Sequence, residues 1–296
     1  MPDQRYLPAK RFDVPVSGGN IAVFRYGEEE GKPVLLIHGV TSSNRAFQLF
    51  ARELIERGLS PYAVDLRGRG NSNQLPGPFG MERHAHDMAA ICEHFGWETV
   101  DVYGHSMGAF VAVAFLGLHP EFDARIVLID GGIPLPLPPG MTVAQVLPLV
   151  LGPALARLAM TFTSTDSYRD YWKEQPAFVK GWSDALDEYV EYDLRGNGSE
   201  FHPSTQSRAV EEDSKDLFES ELISSTLKNL KQEVLFIRAE RGLQNEPSGL
   251  YPTAVLDYVL PQYPKLKLIK IDDVNHYDML LESSGARKVA QAIFGG

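Results

Sequence analysis

Ser106 stands between Gly104 and Gly108 in Val102-Tyr103-Gly104-His105-Ser106-Met107-Gly108-Ala109, where a β-branched run meets an apolar helical stretch. A strand that turns sharply into a helix needs small residues two before and two after the turning residue. This spacing therefore reads as a nucleophile elbow that holds the hydroxyl out into a cleft. A serine hydroxyl is a weak nucleophile at neutral pH and needs a general base within hydrogen-bond reach, a task to which histidine is tuned. Eight histidines compete for it. His84, His86 and His94 fall on the polar side of a predicted helix, His119 at a helix end and His202 in a later inserted region. Solvated or structural roles are expected for these. His276, in Asp272-Asp273-Val274-Asn275-His276-Tyr277-Asp278 just past the last predicted strand, is the expected base. The backbone N–H groups of Met107, in the elbow, and Val40, after an early strand, are the expected oxyanion donors.

The elements that must position these groups alternate strand and helix. Phe12 to Val16 and Ile21 to Tyr26 form an opening hairpin, and Pro33 to Ile37 is a buried strand. Arg45 to Arg57 repeats apolar residues at helical spacing up to Gly58, Pro61 to Val64 is a strand, and Met81 to Phe95 is again helical, with Cys92 in its core face. Thr99 to Tyr103 feeds the elbow and Ala109 to Leu118 follows it. Strands recur at Arg125 to Ile129, Glu233 to Arg238 and Lys265 to Ile271, before a last helix from Glu282 to Phe294. Strands separated by helices imply an α/β fold, a mostly parallel central sheet with helices on both faces. The rhythm breaks between Gly131 and about Thr226. Four prolines open a helical, aromatic-rich stretch with no convincing strand, and Gly196-Asn197-Gly198-Ser199 reads as a flexible loop within it. Residues 1–132 and 227–296 are therefore expected to form the core, and residues 133–226 a helical cap inserted after the sixth strand. Such a cap would hang over the carboxyl ends of the strands, where open α/β sheets bind ligands.

Composition narrows the partners. With 44% hydrophobic and 23% charged residues among 296, the chain can bury a large core. A net charge of −11 without any basic run argues against a phosphate-backbone partner, so nucleic acid is not expected. The single cysteine cannot form an internal disulfide. Met1 to Phe12 lacks an apolar core followed by a cleavage site, and a cytoplasmic location is expected. Met141 to Met160 is apolar, but Gln145, Pro148, Pro153 and Arg157 mark it as a buried or lid helix rather than a membrane span. No cofactor or metal is expected: there is no paired-cysteine site and no His-Glu-x-x-His, and Gly68-Arg69-Gly70 lacks the spacing of a phosphate cradle.

His38-Gly39-Val40, Asp65-Leu66-Arg67-Gly68-Arg69-Gly70-Asn71-Ser72, the elbow at Ser106 and His276, in this order over nearly the whole chain, resemble the α/β-hydrolase superfamily. The resemblance implies the α/β-hydrolase fold and a serine, acid, histidine triad. It places the acid after the Glu233 to Arg238 strand, but this chain reads Ala239-Glu240-Arg241-Gly242-Leu243 there, with Gly242 where an aspartate is common. Glu240 and Asp130 are the substitutes. Asp130, at the end of the preceding strand, is preferred, because haloalkane dehalogenases and resorcylic macrolactone hydrolases take their acid from that strand end. Its role would be to fix the His276 tautomer. His38 and Gly39 are expected to shape the oxyanion loop. The Asp65 to Ser72 segment reads as a structural turn beside the site, with Arg67 and Arg69 open to substrate contact.

Serine rather than aspartate at 106 disfavours the alkyl-enzyme chemistry of dehalogenases and epoxide hydrolases, so acyl transfer to water is favoured. The cap's Leu135, Tyr168, Trp172, Trp182 and Tyr189 supply apolar and aromatic surface for a bulky, largely apolar ester or lactone. The strand-end acid and the cap position resemble zearalenone-type lactone hydrolases in particular. The expected partner is thus a small-molecule ester or lactone, with a homodimer left open. Two alternatives stand beside this serine esterase or lactonase: a carbon-carbon bond hydrolase using the same triad, and a non-catalytic ligand receptor on the same fold.

Overall fold

A computed structural model describes residues 7–178, 181–218 and 220–295; residues 1–6 of the N-terminal stretch discussed above lie outside the described residues. Ten strands and eleven α-helices are found among them. In chain order the core runs β1 (Ala9–Val16), β2 (Gly19–Tyr26), β3 (Lys32–Ile37), α1 (Gln48–Ile55), β4 (Leu59–Val64), α2 (Met81–Phe95), β5 (Thr99–His105), α3 (Met107–Leu118) and β6 (Asp123–Ile129). The segment that follows carries α4 (Val143–Leu158), α5 (Thr165–Lys173), α6 (Asp184–Asp193), β7 (Leu194–Asn197), β8 (Glu200–Pro203), α7 (Ser207–Asp213) and α8 (Glu221–Lys228). The chain then returns through β9 (Val234–Ala239), α9 (Thr253–Val259), β10 (Leu266–Ile271), α10 (Asp278–Leu281) and α11 (Ser283–Phe294).

Eight strands form one sheet in the order β1-β2-β4-β3-β5-β6-β9-β10, antiparallel only where β2 meets β1 and β4. Every parallel crossover needs a helix, and the helices cover both faces. Alternation along each strand divides the core. In β3, Leu35 and Ile37 pack on the α2 and α3 side, whereas Val34 and Leu36 pack on the α1 and α11 side. Gly96 ends α2 in the left-handed conformation, as its position after the last apolar residue predicts. This is the α/β-hydrolase fold expected from the motifs.

Two expectations need correction. The stretch around Gly196-Asn197-Gly198-Ser199 is a two-stranded hairpin, β7 against β8, with Gly196 opposite Phe201. Asn-Gly at the tip of a chain reversal is a hairpin signal in its own right. His84 is not on a solvated face. It is fully buried, with Nε2 bonded to Asp213, because the end of α7 lies over that side of α2. The Met141 to Met160 stretch becomes α4, and among the described residues no helix is long and apolar enough to cross a membrane.

Candidate active site

The loops after β3, β5, β6 and β10 leave the carboxyl ends of parallel strands and bring Val40, Ser106, Asp130 and His276 to one edge of the sheet. Ser106 adopts φ 55° and ψ −125°, a strained conformation for a residue with a Cβ. Its N–H donates to Ile129 O at 2.9 Å, which fixes the turn to β6. The flanking glycines are required by contact: a Cβ on Gly104 would fall 2.1 Å from Gly108 O, and one on Gly108 would fall 2.0 Å from Ile37 O.

His276 Nδ1 lies 2.7 Å from Asp130 Oδ2. A carboxylate can only accept, so Nδ1 carries the proton and Nε2 is left as the basic nitrogen. His276 and Ser106 line the same cavity. Asp130 is itself rigidly held: φ is 47°, its N–H donates to Ile237 O at 2.7 Å, and its Oδ1 accepts from Ala239 N–H at 3.1 Å. Glu240 points elsewhere. It bonds to Lys270 Nζ and the Asp273 N–H at 2.8 Å each, and the Lys270 ammonium holds its carboxyl below the usual carboxylate range. Beneath His276, His105 Nε2 donates to His276 O at 3.1 Å and its ring lies 4.5 Å from the His276 ring. Burial first, then the adjoining His276 ring, push His105 well below the usual histidine range and keep it neutral.

The Val40 loop is clamped from behind. Leu66 N–H donates to His38 Nε2 at 3.0 Å, and His38 Nδ1 donates to Gly39 O at 2.7 Å. That carbonyl belongs to the same peptide unit as the Val40 N–H, so the contact aims the N–H the opposite way. Burial drives His38 down to about 3, so it works as a neutral hydrogen-bonding wedge. Met107 opens α3, where its N–H is one of the helix's unsatisfied donors.

The residues expected to meet substrate divide. Tyr189 and Leu135 line cavities that also contain Ser106. Tyr168 is fully buried in the inserted segment, its hydroxyl bonded to Arg157 and Asp193. Trp172 lines an adjoining recess under Arg157, and Trp182 lies in an outer groove with Nε1 bonded to Asp187 at 2.7 Å. Arg67 and Arg69 line neither of the cavities that contain Ser106: Arg67 is 1% exposed against Asp87, and Arg69 is fully buried. Residues not foreseen are Leu151 and Leu243, which line the cavities on both sides of Ser106, and Tyr277 beside His276. Leu243 follows Gly242, so the loop that lacks the customary aspartate sends an apolar side chain into the site instead. Among the described residues no group of three or more His, Cys, Asp or Glu is gathered in a way that could hold a metal ion.

The alpha/beta hydrolase fold family matches residues 32–283, and the chain belongs to it. Among curated proteins it is 30% identical over 124 residues to the serine hydrolase-like protein of Danio rerio, covering 41% of this chain and 38% of that one. It is 34% identical over 116 residues to lipase LipV of Mycobacterium tuberculosis, covering 39% and 43%. The alignments thus span about two fifths of these relatives' own length. Two solved structures share the fold: E-2-(acetamidomethylene)succinate hydrolase, with a TM-score of 0.78, 19% identity and coverage of 98% of this chain and 100% of that one, and the thioesterase domain from the curacin biosynthetic pathway, with 0.75, 17%, 98% and 100%.

Proposed function

We propose that this protein is a serine hydrolase that cleaves a bulky, apolar carboxylic ester or lactone through an acyl-Ser106 intermediate. In this reading Ser106 Oγ attacks the carbonyl while His276 Nε2 takes its proton, and Asp130 holds the ring and stabilises the imidazolium. The tetrahedral oxyanion accepts from the Val40 and Met107 N–H groups. His276 then protonates the departing oxygen, and water repeats the sequence to release the acid. Glu240 is the weaker candidate for the acid, because its carboxylate is engaged by Lys270 and the Asp273 N–H.

The observation that carries the substrate class is a pair of compartments meeting at Ser106. One lies toward His276 and includes Ala46, Tyr189 and Leu281; the other lies toward Met107 and includes Phe110, Leu147 and Phe218. Neither is lined by a lysine or arginine. The buried cations nearest the site, Arg69 and Arg157, are already paired with Asp213 and Asp193. A carboxylate-bearing substrate such as the succinate named for one structural neighbour would find no free countercharge, whereas a neutral apolar one is well matched. Because His276 must protonate the leaving oxygen, the leaving group belongs on its side and the acyl portion on the Met107 side. A resorcylic macrolactone is neutral and largely apolar and so meets this requirement of charge. The test is hydrolysis of a neutral ester series of increasing acyl size beside matched anionic esters, with Ser106→Ala as control. Preference for the bulky neutral members supports the reading, and preference for the anionic ones contradicts it.

A further inference from the structure

Arg69 follows β4 in the Asp65 to Ser72 segment and has no solvent exposure. Its guanidinium reaches both loops that carry the oxyanion donors: Nε–H donates to Val40 O at 3.0 Å, and Nη2 lies 4.0 Å from Met107 Sδ. Nη1 donates to Arg67 O at 2.9 Å and pairs with Asp213 Oδ2 at 2.5 Å. Asp213 comes from the end of α7, more than a hundred residues further along the chain. It is anchored in turn by His84 Nε2 at 3.0 Å and by the Gly80 N–H at 2.5 Å, where α2 begins. Burial alone would raise the Asp213 carboxyl, but His84 and Arg69 outweigh it and hold it below the usual range.

We infer that Arg69 is a positioning residue for the oxyanion hole, held in place by Asp213, so that the far end of the inserted segment sets the geometry of the Val40 loop. The inference rests on the serine-hydrolase reading. A fully desolvated guanidinium is costly unless its donors are satisfied in fixed directions, and this one is satisfied by two carbonyls and a carboxylate. His38 pins the peptide before Val40 and Arg69 pins the peptide after it. With both held, the Val40 N–H need not reorganise when negative charge develops on the substrate oxygen, which is where such donors gain their effect.

The test compares Arg69→Met, Arg69→Lys and Asp213→Asn with the wild type in the full chain. The readouts are the phosphonylation rate of Ser106 by a fluorophosphonate, whose adduct places an oxygen in the oxyanion hole, and kcat and KM on an ester. Thermal melting reports the folded fraction. Arg69→Met is expected to slow phosphonylation and kcat by about tenfold to a hundredfold, with KM within about threefold. Arg69→Lys should recover part of the loss, because an ammonium can still donate to Val40 O. Equal rates per folded molecule in Arg69→Met and wild type, even with a lowered melting temperature, would reduce Arg69 to a structural ion pair and overturn the inference. If Arg69→Met does not fold, Asp213→Asn decides by the same readouts. A wild type that is not labelled, or labelled equally in Ser106→Ala, would instead overturn the nucleophile assignment itself.

Discussion

His276 and Asp130 meet at 2.7 Å across the end of β9, Asp130 arriving from β6 and His276 from the loop after β10. Asp130→Asn preserves the shape but can present an amide N–H toward Nδ1, which favours the wrong tautomer. Turnover should fall by about a thousandfold to ten-thousandfold with little change in KM. Glu240→Gln should remain within about twofold of wild type, since that side chain faces Lys270. Steady-state kinetics on one ester decides between them, and the reverse ranking would move the acid to Glu240.

Acid should destabilise the fold through its buried neutral histidines. His38 is held at about 3 against 6.5 for an ordinary histidine, and His105 is also driven down by burial. Between these limits the unfolded chain binds protons that the folded chain does not, so stability is full above pH 6.5 and declines as pH falls toward 3. Each such histidine contributes a slope of about 1.4 kcal/mol per pH unit. Urea unfolding from pH 7 to 5 should show this decline, with a shallower slope for His105→Gln. Parallel curves would contradict it.

Tyr168 and Tyr189 should respond differently to loss of the hydroxyl. Tyr168→Phe removes a buried bond to Asp193 and Arg157 and should lower stability by about 1–3 kcal/mol while leaving the substrate profile unchanged. Tyr189→Phe removes the bond to Ser42 at a cavity wall and should change KM with little loss of melting temperature. Calorimetry and kinetics on the two variants separate the roles.

Filling the Met107-side compartment should shorten the acyl range. Leu147→Trp adds bulk there and should cut kcat/KM for long or aromatic acyl esters by about tenfold or more, against about twofold for acetyl esters. An equal loss across the series would mean that the acyl group does not occupy this compartment.

The elements with strong local periodicity were legible residue by residue. Met81 to Phe95 carries its apolar face and its Gly96 stop within one segment, and the elbow carries its glycines beside Ser106. What escaped depends on contacts across long stretches of chain. Between the solvated and structural roles expected for His84, nothing in α2 announces that Asp213 will cover it and settle the structural one. Tyr168 and Tyr189 have the same character in sequence, and only the packing of α4, α5 and α6 turns one toward Arg157 and the other toward Ser42, on the wall of a cavity that Ser106 also lines. The β7 and β8 hairpin was missed for a different reason: its strands are four residues each and too polar to show alternation.

The central claim, ester or lactone cleavage through Ser106, is tested most directly by mass spectrometry of a mixed pool of aromatic macrolactones and acyclic esters after incubation with wild type and Ser106→Ala. The account predicts either gain of one water on an intact lactone or paired acid and alcohol fragments from an ester, present with wild type and absent with the variant. No Ser106-dependent mass change in any member of the pool would contradict it.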